Sequence, residues 1–146
     1  MPDTINKFDG EYAFLSNFYE SPIKGDDGIA YPTIEHYFQA MKTTDLDRRR
    51  QIARAATPGQ AKRMGRQVDL RPDWEELKEA YMLIGVTKKF ADPELRQKLL
   101  DTKDAILVEG TTWHDRYWGV CTCEKCQGNG LNRLGHILMK VRYNYA

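Results

Sequence analysis

The apolar positions change their period along the chain. Short apolar and aromatic pieces, Ile5 to Phe8 and Tyr12 to Tyr19, are broken by glycine and polar residues. They predict brief strands and turns, with Gly25-Asp26-Asp27-Gly28 as a turn. Helical signals follow. Thr33 is placed as an N-cap for a helix over Ile34–Met41, and a second helix is expected over Leu46–Ala55. Thr57-Pro58 and Asp92-Pro93 each pair a capping side chain with a proline at the first helical position, and the second opens a short helix to Leu100. Asp73 is expected to cap a long segment through Phe90, in which Trp74, Leu77, Tyr81, Ile84 and Lys88 recur at three- or four-residue spacing. Ala105–Val108 reads as a short central strand ending at Glu109-Gly110. A loop rich in glycine, cysteine and tryptophan follows. A closing helix is expected over Leu131–Arg142, with Leu134, Ile137, Leu138 and Val141 as its stripe. The pattern defines an α+β class, mostly helical, with a small β-sheet.

The 146 residues suit one domain spanning 1–146. With 41% hydrophobic and 29% charged residues, wholesale disorder is excluded. No apolar run approaches the ~18 residues of a membrane span, and the first residues carry no apolar signal core, so a cytoplasmic protein is expected. The net charge of +1 gives no global pull toward nucleic acid. Eight basic residues nevertheless lie between Arg48 and Arg71 (Arg48, Arg49, Arg50, Arg54, Lys62, Arg63, Arg66, Arg71) against the single acid Asp69. Such a run attracts phosphates, and it equally fits a solvated helical face.

Four constellations carry candidate chemistry. Glu35, Gln39 and Lys42 are spaced i, i+4, i+7 and share one stripe of a helix. A carboxylate and an amine two turns apart can face one pocket as proton donor and as cation or nucleophile, or can form an exposed polar stripe. Trp113-His-Asp-Arg-Tyr-Trp-Gly119 sets aromatics around Asp115: a stacking platform beside an acid, or core tryptophans around a turn-capping aspartate. In Gly128–Gly135, Asn129 or Asn132 is placed to cap the last helix. Cys121, Cys123 and Cys126 could give three thiolates to zinc with His114 or His136 as the fourth ligand, although the second cysteine pair of a full zinc signature is absent. Three cysteines do not make a disulfide framework.

Together these stretches resemble the NADAR domain family, also called YbiA-like. The resemblance rests on Phe14-Leu-Ser-Asn-Phe-Tyr19, Tyr31-Pro-Thr-Ile-Glu-His-Tyr-Phe-Gln-Ala-Met-Lys42 and Thr57-Pro-Gly-Gln-Ala-Lys-Arg-Met-Gly-Arg66. It continues through Asp73-Trp74, Lys89-Phe90, Leu107-Val-Glu109, Asp115, Trp118-Gly119 and Gly130-Leu-Asn-Arg-Leu-Gly135. It implies a compact α+β domain and an N-glycosidase that cleaves a bond between ribose C1′ and an exocyclic amine nitrogen. One branch of the family acts on phosphorylated ribosylamino-pyrimidine intermediates of riboflavin synthesis; another removes ADP-ribose from guanine in DNA. For this chain the resemblance makes ADP-ribosylated guanine the first expected substrate and the riboflavin intermediate the second. A non-catalytic module binding ADP-ribose or NAD is a third reading.

On that basis Glu35 is expected to transfer the proton, Lys42 to act at C1′ and Asp115 to orient ribose hydroxyls or activate water. Trp74 and Trp118 are expected to stack on base or sugar beside Gly119. Asn17 and Asn132 would read polar edges, and Lys62 and Arg66 would contact phosphate. No cofactor is expected, and no metal among these site residues. The expected partner is a modified guanine base or a nucleotide-like small molecule, with single-stranded DNA as a candidate, and the protein is expected to be a monomer. The family's shorter glycine-containing loop is replaced here by Cys-x-Cys-x-x-Cys.

Overall fold

The computed structural model describes residues 2–146 and divides them into two units. One unit is Asn17–Lys89; the other joins the segment ending at Ser16 to Phe90–Ala146.

The Asn17–Lys89 unit is built around one short helix. A hairpin of β2 (Ile23–Lys24) and β3 (Ala30–Tyr31) closes over the expected turn, and the Gly28 N–H bonds to the Gly25 carbonyl. Helix α1 (Ile34–Ala40) starts where expected: Thr33 Oγ1 accepts the His36 N–H at 3.1 Å. Every residue of α1 is buried, so its polar side chains must find partners inside the protein. It packs against α2 (Leu46–Ala53), α3 (Pro58–Gly65) and α4 (Trp74–Lys89). Asp45 caps α2, and Thr57 caps α3 with Pro58 in the first turn. Gly65 is fixed by packing, since a Cβ there would run into the Gln39 side chain of α1. The buried face of α4 is Trp74, Met82, Gly85, Val86 and Lys89. Its core stripe is therefore displaced by about one residue from the expected one, because the close approach of α1 at Gly85 sets the phase. The Asp73 carboxylate, expected as a cap, pairs with Arg71 at 2.7 Å.

The other unit ends in α6 (Arg133–Tyr145), whose Leu134, Ile137, Leu138 and Val141 are all buried as the stripe requires. Helix α5 (Pro93–Leu100), capped by Asp92, packs on it. The unit's strands are short. β1 (Thr4–Ile5) runs parallel to β4 (Ile106–Leu107), and β5 (Gly110–Thr111) parallel to β6 (Val120–Cys121). The run at 105–108 is thus not a central strand: among the described residues β4 pairs with β1 alone, and Ile106 is exposed while Leu107 is buried. The expected strand at Tyr12–Tyr19 is also replaced, over Gly10–Leu15, by a 3-10 helix. Phe14 and Leu15 are adjacent and both buried, which a two-residue strand period would forbid on a one-sided sheet.

The fold is α+β with helices dominant, as the periodicity requires; among the described residues the β part is three two-stranded pairs.

Candidate active site

Helix α1 carries the polar row. Gln39 Nε2 donates to Glu35 Oε1 at 2.8 Å, one helical turn away, and both side chains are buried. Lys42 follows just past the helix end, half-buried, with its N–H on the Gln39 carbonyl and its own carbonyl accepting from the Arg71 N–H at 2.8 Å. Burial pushes the Lys42 amine below the ordinary lysine range. Glu35 pulls it back up, while the charges of Arg66 and Lys62 push it further down. Four of the expected residues are therefore electrostatically linked: Glu35, Lys42, Lys62 and Arg66.

Asn17 joins this row through its backbone. Its carbonyl accepts the Glu35 N–H at 3.1 Å, and its amide nitrogen points to the Met82 sulfur at 3.5 Å. Asn17 Oδ1 and Gln39 Oε1 are buried and have no hydrogen-bond partner among the described residues. Two buried carbonyl acceptors without a partner are unusual, because buried polar atoms are nearly always paired. They suit a ligand that presents N–H donors. The sequence places Gln39 on one stripe with Glu35 and Lys42, and only the fold reveals its unpaired acceptor.

Trp74 does not offer the expected stacking face. It is 5% exposed, packs against Phe38 with ring centroids 5.0 Å apart, and stacks on Tyr81 at 6.2 Å. Its position on the core face of α4 commits the ring to these neighbours. The basic run also shrinks. Arg49 is half-buried, pairs with Asp27 at 3.3 Å and donates to the Thr43 carbonyl, and Arg71 binds Asp73 and the Tyr81 hydroxyl. Arg50 pairs with Asp47. Arg48, Arg54, Arg63 and Arg66 remain at the surface and Lys62 is half-buried.

His36 is a core histidine. Its Nε2 donates to the Ala55 carbonyl, its Nδ1 accepts from the Thr33 hydroxyl, and burial lowers its pKa. Lys89, named only in a family stretch, proves to be 1% exposed beneath the Tyr19 ring, and burial pushes its pKa down to about 7. A cleft of about 860 Å³ is lined by Thr43–Asp45, which follow Lys42 in the chain, and by Arg48 and Asp69–Asp73, but not by Glu35 or Lys42 themselves.

The remaining expected residues belong to the other unit. Asp115 Oδ1 accepts the N–H groups of Tyr117 and Trp118, at 3.1 and 2.9 Å, so this oxygen holds a turn. Trp118 is half-buried and edge-on to Tyr117. Gly119 is required by packing, since a Cβ would strike the Glu109 carbonyl. Asn132 neither caps α6 nor has an open amide. Its Oδ1 accepts from the Glu109 N–H and its Nδ2 donates to the Leu107 carbonyl, so both amide ends are spent on the end of β4 and the segment just after it. Cys121, Cys123 and Cys126 gather with His114, and their ligand atoms all lie within 4.8 Å of one another. Of the two histidines considered, the fold brings His114 to the sulfurs.

The buried Glu35–Gln39 pair of α1 and the half-buried Lys42 amine just past its end form the polar row of this unit. The NADAR domain family matches residues 5–145, and the chain belongs to it. N-glycosidase YbiA of Escherichia coli is 44% identical over 152 residues, covering 100% of this chain and 91% of that protein. An N-glycosidase of Nostoc punctiforme is 39% identical over 90% of this chain and 84% of its own length. A riboflavin biosynthesis protein of Vibrio vulnificus is 36% identical over 92% of this chain, but only 36% of its own length. The solved NMR structure of E. coli YbiA superimposes with a TM-score of 0.80, 43% identity and 99% of this chain covered, against 86% of that chain.

Proposed function

We propose that this N-glycosidase hydrolyses the bond between ribose C1′ and the exocyclic amine of a guanine-like amino-pyrimidinone. The activity class is supported by the full-length identity to YbiA. The observation that carries the mechanism is the α1 row with its depressed amine. Transfer of a proton from the Lys42 ammonium to the Glu35 carboxylate gives the neutral amine and the acid that the reaction needs. Gln39 orients that carboxyl. Lys42 attacks C1′ as the C1′–N bond breaks, the electron pair of that bond goes to the leaving nitrogen, and Glu35 supplies its proton. The attached amine then gives a proton back to Glu35, which passes it to the ring oxygen as the sugar opens to the Schiff base; water hydrolyses the Schiff base and restores the Lys42 amine. The open acceptors of Asn17 and Gln39 suit the N–H edge of the base. Lys62 and Arg66 suit the phosphate. Asp115 and Trp118 enter on the family resemblance alone, as groups for the ribose and the ring.

A phosphorylated ribosylamino-pyrimidine of riboflavin synthesis comes first among substrates. The relatives named for riboflavin biosynthesis favour it, and the internal pairing of Arg49 and Arg71 weakens the case for a strand-binding surface. ADP-ribosylated guanine in DNA is the second reading, favoured by the exposed Arg48, Arg54, Arg63 and Arg66. A paired turnover assay separates them, using the ribosylamino-pyrimidine phosphate, an oligonucleotide bearing ADP-ribosyl-guanine, and Lys42→Ala as control. Cleavage of the pyrimidine alone is expected. Release of ADP-ribose from the oligonucleotide alone would exchange the two readings. Binding of ADP-ribose without turnover of either substrate would overturn both in favour of a binding module.

A further inference from the structure

The cysteine-rich loop takes no part in the reaction above, yet it is the most sharply organised cluster in its unit. His114 Nδ1 lies 3.4 Å from both Cys123 Sγ and Cys126 Sγ, and Cys121 Sγ completes a group of four donors within 4.8 Å. A tetrahedral zinc with the usual Zn–S and Zn–N lengths places N···S edges at about 3.5 Å and S···S edges at about 3.8 Å. The histidine–sulfur separations here fall on that edge.

The surrounding backbone is arranged for thiolates. The His114 N–H points at Cys121 Sγ (3.3 Å) and the Cys126 N–H at Cys123 Sγ (3.4 Å), both donors that favour a negative sulfur. Cys123-Glu-Lys-Cys126 forms a tight knuckle, with the Cys126 and Gln127 N–H groups on the Cys123 carbonyl. Gln127 and Gly128 then take positive φ, and the Gly128 N–H returns to the Cys121 carbonyl, which closes the loop behind the sulfurs. Cys121 and Cys126 are buried. Three thiols and an imidazole gain little from one another as neutral groups, since sulfur hydrogen bonds are weak.

We propose that His114, Cys121, Cys123 and Cys126 bind one structural zinc ion. Binding displaces the three thiol protons. Three thiolates and a neutral imidazole fill all four positions, so the ion has no open site and supplies cross-linking rather than catalysis. The ion ties the start of the Trp113–Gly119 segment to the strand residue Cys121 and to the knuckle. It thereby fixes the turn that Asp115 caps.

The test starts from full-length protein expressed in zinc-containing medium and purified without chelator under reducing conditions. Elemental analysis and native mass spectrometry are expected to find one zinc per chain. Cobalt added to the stripped, reduced wild-type chain is expected to give the visible bands of tetrahedral cobalt together with thiolate charge transfer. His114→Ala is expected to weaken cobalt binding by about tenfold or more, whereas His136→Ala leaves it unchanged. Metal removal is expected to raise amide hydrogen exchange across residues 111–132 and not across α1. The absence of both stoichiometric zinc and a tetrahedral cobalt spectrum in the wild type would overturn the proposal, whatever the variants do. So would a Cys123–Cys126 disulfide in the freshly isolated chain, or loss of the cobalt spectrum on His136→Ala with retention on His114→Ala.

Discussion

Lys42 is pulled in two directions. Burial and the cations of Arg66 and Lys62 lower its pKa, and Glu35 raises it. A Schiff-base role needs the neutral amine, so turnover should rise with pH through the depressed Lys42 pKa. Removing a neighbouring cation raises that pKa. In Arg66→Ala the rising limb of the pH–rate profile is expected to move to higher pH, with Arg66→Lys restoring it; an unmoved limb in Arg66→Ala would separate Lys42 from the titration. Lys42→Ala is expected to lower kcat by at least about 10²-fold with the fold intact, as read by circular dichroism. Asn132 behaves differently. Its amide satisfies two backbone groups, so Asn132→Ala is expected to cost about 1–3 kcal/mol in urea unfolding.

At the scale of elements, the packing of α1 on α3 aligns the site. Gly65 leaves room for Gln39, and Gln39 holds Glu35. Gly65→Ala should force that side chain aside. The expected outcome is a loss of about 1–3 kcal/mol from overpacking, together with a kcat loss that exceeds any change in KM. If kcat holds while stability falls, Gln39 is not an orienting group. The start of α1 was legible in the sequence because a threonine cap is a local hydrogen bond to the helix's own backbone. The caps of α3 and α5 were legible for the same reason. The stripe of α4 was not. A helix of mixed apolar and charged residues can turn either flank inward, and the contact at Gly85 chose the phase.

At the scale of the whole molecule, pH acts through Lys89. Its folded pKa of about 7 lies below the ordinary lysine value of 10.5, so between these values the unfolded chain holds more protons. Stability should therefore rise as pH increases from about 7 toward 10 and gain nothing further from this group above that range. Urea midpoints measured across the window are expected to climb in the wild type and to flatten in Lys89→Met. A flat wild-type profile would mean that Lys89 stays charged in the fold. Asp27 is half-buried, pairs with Arg49 at 3.3 Å and accepts from the Tyr31 hydroxyl at 2.8 Å. Asp27→Ala removes the partner of both groups and is expected to cost about 1–3 kcal/mol in urea unfolding.

Whatever depends on neighbours along the chain is legible in the amino-acid order. Caps, proline starts, the stripe of α6, the i, i+4, i+7 row and the family motifs are each local to a few residues. Which polar groups are already spent is settled by long-range packing. Asn132, Trp74, Arg49 and Arg71 have the composition of a binding site, yet each is committed to a carbonyl, a ring or a carboxylate, several of them supplied by distant parts of the chain. Gln39 and Asn17 keep open acceptors because nothing described reaches them. The same holds for the cysteines. Their spacing allowed two histidines as the fourth ligand, and the backbone turn at positive φ brought His114 to the sulfurs. Burial and long-range pairing are properties of the folded chain, and no local pattern encodes them.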